Sequence, residues 1–380
     1  MRVSKKIKHS TMHKLSKLTF GSSITASMLS GYGSISPQKY IKCRSRIKRI
    51  ETECNEPGVN QAGNGQFDTN NITKVQVPLV LISQIQRSGG SLLSQLFDGH
   101  PQIHAHPHEL KIGYPKKYYW PKIDLADSPE RWFFLLFEDI VIEHAREGFK
   151  KGIKADRTHP FHFVPFLQKK IFLHYVNSVR PLNLRDVFDG YMTSYFNAWL
   201  NNFNLNGCHK KYITAFTPRM AMLQENMDKF CEIYPDGKLI SIVRDPKNWF
   251  PSASLHRQKD YGDISKALDQ WIDSVNATIR NKEALDESVF IIRFEDLIAK
   301  TEPVMQYLSN CLDIEFDDIL LQPTFNGSPI SANTSFDLEK SKIIESTLYR
   351  YKTLGSEQLK MIDSMTSDLF QTILEKAVKF

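Results

Sequence analysis

Residues 77–97 read VPLVLISQIQRSGGSLLSQLF, and three kinds of local order follow one another within them. Val77 to Ser83 is a near-continuous apolar run, which suits a strand buried on both faces of a parallel sheet. Gln84 to Ser91 forms a turn with adjacent glycines. From Ser91 to Phe97, residues Leu92, Leu93, Leu96 and Phe97 share one helical stripe. A strand, a glycine turn and a helix in that order aim several backbone N–H groups, with a helix N-terminus behind them, at one point. By geometry and dipole that is an anion site. Gly89 and Gly90 allow close backbone approach, Ser91 supplies a hydroxyl and Arg87 a fixed positive charge.

The same order recurs downstream. Lys238 to Val243 (KLISIV) is a second strand running into Arg244-Asp245-Pro246 and a helix, and Val289 to Arg293 (VFIIR) is a third. Between them Leu268, Trp271, Ile272, Val275 and Ile279 recur at helical spacing, and another helix starts at Thr301 with Glu302 and Pro303 in its first turn. Strands alternating with helices of this length imply an α/β layered fold with a mainly parallel sheet. The stretch from about 114 to 206 differs: it is aromatic-rich, reads as helical over Trp132–Glu147 and Asp186–Asn202, and shows no clear strand. It is read as a helical insertion or cap whose aromatic stripe is core. Residues 325–337 (FNGSPISANTSFD) read as loop, and a helical tail closes the chain.

Length and composition set the frame around these elements. The chain has 380 residues, 41% hydrophobic and 24% charged, values that exclude a wholly disordered, collagenous or disulfide-scaffold protein. Residues 1–50 hold 12 Lys/Arg and no acid, so 49 less 12 leaves 37 basic against 42 acidic side chains in the rest. The basicity belongs to a tail, and a charge argument for nucleic-acid binding by the folded body fails; no nucleic-acid partner is expected. Residues 1–74 are read as that tail plus a polar linker, and residues 75–380 as one folded unit. Five scattered cysteines fit a reducing compartment. The most apolar stretch of the tail, Leu18 to Tyr32, is diluted by Ser, Thr and Gly, and no run of about 18 apolar residues spans a bilayer. A soluble, cytoplasmic protein is expected, with organellar import or secretion as the alternative that the basic tail raises.

A nucleoside triphosphate loop reads G-x-x-x-x-G-K-[ST], with the Lys on the terminal phosphates and the hydroxyl on Mg²⁺. Here no Lys precedes Ser91, and no clear acid stands at a strand end to hold the metal. Gln86-Arg87-Ser88-Gly89-Gly90-Ser91-Leu92-Leu93 followed by Phe97-Asp98-Gly99-His100-Pro101 instead resembles the 5′-phosphosulfate loop and helix of sulfotransferases dependent on 3′-phosphoadenosine 5′-phosphosulfate (PAPS). Their pattern is close to R-S-G-T-[ST]-x-L and L-x-D-x-H-P. Gly90 stands where the family usually has Thr. Ser241-Ile242-Val243-Arg244-Asp245-Pro246, with Ser252 eight residues after Arg244, resembles the family's 3′-phosphate strand and helix. An arginine at a strand end can fork onto a phosphate. Further echoes are Arg293-Phe294-Glu295-Asp296-Leu297, with Glu295 read as structural; Thr217-Pro218-Arg219, with Phe216 where many members have Lys; and Pro323-Thr324-Phe325-Asn326-Gly327 with Asn333-Thr334-Ser335-Phe336.

The resemblance implies a P-loop three-layer α/β fold and PAPS as co-substrate. Arg87, Ser88, Gly89, Gly90 and Ser91 would hold its 5′-phosphosulfate, Arg87 placing charge on the reacting oxygens, while Arg244 and Ser252 would hold its 3′-phosphate. Sulfuryl transfer also needs a group to take the acceptor's proton. In His104-Ala105-His106-Pro107-His108-Glu109 the family's glutamate base matches Glu109 best, with His108 the neighbouring option. Three His at alternate positions could instead bind a metal, as in an H-x-H-x-D-H pattern, but the closing D-H is missing and no metal is expected. The acceptor is expected to be a hydroxyl, first of all on a glycan, because the whole-chain pattern resembles carbohydrate and bacterial members more than cytosolic small-phenol enzymes, whose C-terminal R-K-G-x-x-G-D-W-K stretch is absent. The alternatives are a nucleotide-dependent P-loop kinase and a non-catalytic donor-binding module, the latter suggested by Gly90 and Phe216.

Overall fold

A computed structural model describes residues 45, 48–55, 71–112, 119–150, 158–331, 336–337, 342–343 and 345–380. Five short strands among them make one parallel sheet: β1 (Leu79–Ile82), β2 (Ile103–Ala105), β3 (Tyr212–Phe216), β4 (Lys238–Val243) and β5 (Val289–Arg293). Their spatial order is β2-β3-β1-β4-β5. The first strand in sequence thus sits in the middle, with Val80 opposite Thr214 of β3 on one side and Lys238 of β4 on the other. Connections leave β1 towards one edge and return from β3 to the other. In such sheets ligands bind outside the carboxyl ends of the strands where the order reverses, which is where the turn after β1 lies.

Successive β1 side chains enter opposite layers. Leu79 and Leu81 belong to one buried cluster, Val80 and Ile82 to the other. This is why the segment reads as an unbroken apolar run: both faces are covered by helices. The Gly90–Leu96 helix buries Leu92, Leu93 and Leu96 in the second cluster with the Thr301–Cys311 helix, whose Val304, Met305 and Leu308 are fully buried. The Ile264–Leu285 helix puts Leu268, Trp271 and Val275 into the first.

Several sequence expectations require correction. Trp132–Glu147 is not one helix but two, Pro129–Leu136 and Ile140–Glu147, broken where Phe137 turns extended (φ −60, ψ 130). The Asp186–Asn202 reading becomes Leu184–Ala198, opened by a reciprocal cap between Asn183 and Asp186. Pro165–Ser178 is a further cap helix. β2 and β3 were not among the strands read from sequence; β2 has three residues, too few for a pattern to register. The assignment of 1–74 to tail and linker also fails locally. Residues 48–55 are helical, with Ile50 and Cys54 only 4% and 1% exposed in the core. The apolar stretch 18–32, Cys43, most of the linker (56–70) and Asn333–Ser335 lie outside the described residues. Cys54, Cys208, Cys231 and Cys311 are free thiols. Among the described residues no helix is long and apolar enough to cross a membrane.

Candidate active site

The turn after β1 is concave because its backbone alternates hand. Arg87 (φ 70) and Gly89 (φ 100) are both left-handed, an arrangement that gathers successive N–H groups into an anion-binding nest. The helix behind it has only seven residues, so its dipole is short, and side-chain charge has more of the work to do. The loop is tethered from below. Trp249 Nε1 donates to the Gln86 carbonyl (2.8 Å), the Tyr261 hydroxyl to Gln86 Oε1 (2.7 Å), the Ile85 N–H to Ser274 Oγ (3.0 Å) and the Arg219 N–H to the Gln84 carbonyl (2.9 Å). A Cβ on Gly89 would come within 2.6 Å of the Phe294 ring, so both the positive φ and the close approach require glycine there.

The two distant motifs meet at this loop. Arg87 Nε donates to Ser252 Oγ at 3.2 Å, and Arg244 Nη1 donates to the Arg87 carbonyl at 2.8 Å. Arg244 Nη2 donates to the Thr347 carbonyl (2.9 Å), and its guanidinium lies 4.1 Å from the centre of the Phe294 ring. Arg244 and Ser252 are 3% and 2% exposed. Both therefore act from beneath the loop, Arg244 as a brace and Ser252 as the anchor of Arg87. The sequence reading missed a third guanidinium. Arg350, in the 3₁₀ segment Glu345–Thr353, is close enough for its charge to be felt by both Arg87 and Arg244. Burial, opposed by Glu295 and reinforced by Arg350 and Arg87, pushes Arg244 down to about 9. Burial and Arg350 lower Arg87 as well, and burial lowers Arg350. Among the described residues neither Arg87 nor Arg244 makes an ion pair. Arg87 and Arg244 are held by carbonyls and a hydroxyl, while Glu295 and Asp245 offset part of the charge on Arg244. Nothing in the local sequence flags Arg350; a chain reversal brings its segment against the Pro246–His256 helix, where the Tyr351 N–H donates to Asn248 Oδ1 (3.1 Å).

The two departures from the family pattern turn out to be neighbours. A Cβ on Gly90 would sit 2.3 Å from Phe216 Cε2 and 2.4 Å from Gln84 Nε2. The aromatic ring at 216 occupies the room a Thr side chain at 90 would need. The weaker echoes are braces. The Thr217 N–H continues onto the Ile82 carbonyl (3.0 Å), and Glu295 Oε1 accepts the Asp245 N–H (3.1 Å). Asp98 Oδ2 accepts from Thr324 Oγ1 (2.7 Å) and the Gly327 N–H (2.9 Å). His100 joins the Gln102 N–H of its own turn to the distant Glu315 carbonyl.

The segment after β2 runs alongside β3, pinned where His106 N–H meets the Thr214 carbonyl (2.8 Å) and Leu110 N–H meets the Phe216 carbonyl (2.9 Å). Glu109 lies between these pins with its side chain 38% exposed and Oε2 3.8 Å from Lys111 Nζ. Burial, Arg87 and Arg257 push the His256 imidazole down while Glu109 opposes, so His256 lies within charge range of both Arg87 and Glu109. His108 is placed differently. Its side chain is 7% exposed, Nδ1 faces the Glu109 carbonyl (2.9 Å) and Nε2 faces the Tyr195 hydroxyl (3.0 Å). Burial, with His106 and His144, holds it well below the ordinary histidine range. His104 stands apart against Phe196, ring centroids 5.0 Å apart. His106, His108 and Glu138 bring three ligand-type atoms within 4.8 Å of one another, yet each of those atoms already has a hydrogen-bond partner.

The model of the sulfotransferase family matches residues 78–318. No curated protein matches the chain in sequence. Among solved structures, the chain is similar to the sulfotransferase domain from the curacin biosynthetic pathway (19% identity, 77% of this chain and 98% of that one, TM-score 0.43). It is similar also to the sulfotransferase domain of the Synechococcus olefin synthase (17% identity, 83% and 100%, TM-score 0.45). A third is a sulfotransferase from Mycobacterium avium (14% identity, 91% and 89%, TM-score 0.42).

Proposed function

Since the chain belongs to the sulfotransferase family, we propose that it transfers the sulfuryl group of PAPS to a hydroxyl acceptor, with glycans the first class to test. The observation that carries the reading is the junction of Arg87, Ser252 and Arg244. It joins two segments 157 residues apart into one positively charged loop in which, among the described residues, neither Arg87 nor Arg244 forms a direct ion pair. The loop N–H groups, Ser88, Ser91 and Arg87 receive the 5′-phosphosulfate; Arg350 and the Arg244–Ser252 brace receive the 3′-phosphate.

Glu109 is the base. It is the acid of this segment whose carboxylate reaches solvent, whereas the two ring nitrogens of His108 are occupied inside the core. The acceptor oxygen forms a bond to sulfur as its proton passes to Glu109, and the bond from sulfur to the bridging phosphate oxygen breaks. Adenosine 3′,5′-bisphosphate leaves with the electron pair, its new charge met by Arg87 and the nest. As in phosphoryl transfer, most of the catalysis is positioning and electrostatics.

The test is incubation with isotopically labelled PAPS and a panel of glycans, lipids and phenols, scored by mass spectrometry and paired with calorimetry of adenosine 3′,5′-bisphosphate. Labelled product on a hydroxyl supports the proposal. Binding without transfer to any acceptor favours a donor-binding module, and no binding removes the reading. Mg²⁺-dependent ATP turnover would establish the kinase instead.

A further inference from the structure

Beneath Glu109 lies a buried polar cluster that sulfuryl transfer as described above does not use. Its centre is Glu138, whose side chain is fully buried and sits in the break between the Pro129–Leu136 and Ile140–Glu147 helices. Glu138 Oε2 accepts the backbone N–H of Lys111 (2.8 Å). Glu138 Oε1 accepts the Tyr191 hydroxyl (3.2 Å) and lies 3.0 Å from His106 Nε2. The other nitrogen of His106, Nδ1, is 2.9 Å from the His108 carbonyl. A carbonyl only accepts, so Nδ1 carries a hydrogen. The Nε2 contact then needs a hydrogen of its own, and the pair holds one proton more than a neutral imidazole facing a carboxylate. The same accounting gives His108 a hydrogen on Nδ1, donated to the Glu109 carbonyl, and leaves Nε2 to accept from Tyr195.

The result is a clamp on three consecutive peptide groups, 108–109, 109–110 and 110–111. His106 holds the carbonyl just before Glu109, His108 holds the carbonyl of Glu109 itself, and Glu138 holds the N–H two residues on. Each partner is a buried side chain, and the clamped residue is the one whose carboxylate is partly exposed. A buried, hydrogen-bonded ionisable pair is a costly way to gain stability; apolar residues of similar volume often do as well. We propose that Glu138, acting through His106, is a positioning residue for Glu109: it fixes the peptide groups on both sides of the base and thereby the direction of its carboxylate. The inference rests on Glu109 being the base.

Misplacement of a reacting group by about 1 Å can cost on the order of 100-fold in rate. Glu138→Gln keeps the volume and removes the charge that organises the clamp. It should lower kcat by roughly 10- to 100-fold while leaving KM for PAPS and the affinity for adenosine 3′,5′-bisphosphate within about twofold. His106→Gln, whose amide can still reach Glu138 but no longer the His108 carbonyl, should show the same split. Nitrogen-15 spectra of the wild-type imidazoles should show hydrogens on both nitrogens of His106, or shared with Glu138, and on Nδ1 of His108. These spectra do not depend on turnover or on a variant that folds. Glu109→Gln, measured beside the others, separates the two layers: full turnover there removes the base assignment. Reduced turnover in Glu109→Gln with unchanged kcat in Glu138→Gln and His106→Gln overturns the positioning role alone, as does a His106 ring found with hydrogen only on Nε2.

Discussion

The loop after β1 and the segment after β2 both gather ionisable groups at the carboxyl ends of strands in one sheet, and they settle their charge in opposite ways. Around the loop, Arg87 and Arg244 are held by a hydroxyl and carbonyls, and Arg350 adds to the same positive field. In the histidine segment every donor described above meets an acceptor inside the protein, and Glu138 collects three of the contacts. One region leaves its arginines without a bonded carboxylate, which suits the anion proposed for it; the other bonds His106, Tyr191 and the Lys111 N–H to Glu138, which suits the proposed positioning role. Burial alone does not separate them, since Arg244 is as inaccessible as His106. The presence or absence of a directly bonded carboxylate does.

The largest expected effect tests the arginine side. Arg87→Ala should weaken adenosine 3′,5′-bisphosphate binding by about 100-fold or more, since a charge-assisted contact contributes up to about 3 kcal/mol, and should abolish transfer. Because removing one of several crowded cations relieves repulsion, its melting temperature should not fall; a large drop in calorimetry would mean that the loop charge is structural after all. Arg350→Ala, at a half-buried position, should cost about tenfold in the same titration, in line with a single weaker phosphate contact. If affinity is unchanged, Arg350 belongs to the scaffold.

Gly90→Thr probes the fit between the two departures. Its Cβ would overlap Phe216, so urea unfolding should show a loss of about 1–3 kcal/mol, the usual cost of overpacking. Adding Phe216→Ala should recover most of it, and a purely additive double variant would break the coupling.

The smallest effect concerns the histidine side. Burial pushes His104 down to about 3 and His144 down to about 4. Their folded values lie below the ordinary 6.5, so the unfolded chain takes up protons that the fold refuses. Stability from this source is complete above pH 6.5 and is lost as pH falls towards 4. The melting temperature should drop across that window, and His144→Phe should make the slope shallower; an unchanged slope would show that His144 is not buried as a neutral ring.

Three of the five parallel strands, β1, β4 and β5, and the crossover helix were legible because period and composition carry them, whereas β2 and β3 were not. Lys238–Val243 and Val289–Arg293 fall on the residues read from sequence, and Leu268, Trp271 and Val275 face the core together. The loop was legible because glycines, a serine and an arginine between a strand and a helix have few other uses. The cap was read less well. Nothing between Trp132 and Glu147 resembles a helix stop, neither Pro nor Gly. The break at Phe137 is sustained by what Glu138 gains in the core, a tertiary gain that no local propensity encodes.

Local sequence determined three of the five strands, the turn after β1 and the residue types that line it, because those depend on backbone conformations a few residues long. Only the tertiary structure decided which charges would be neutralised. It set Arg350 beside Arg87 across 263 positions, placed Ser252 under the loop, and turned Glu138 towards His106. Counter-charge is a property of distance in space, and distance in space is fixed only once the layers have packed.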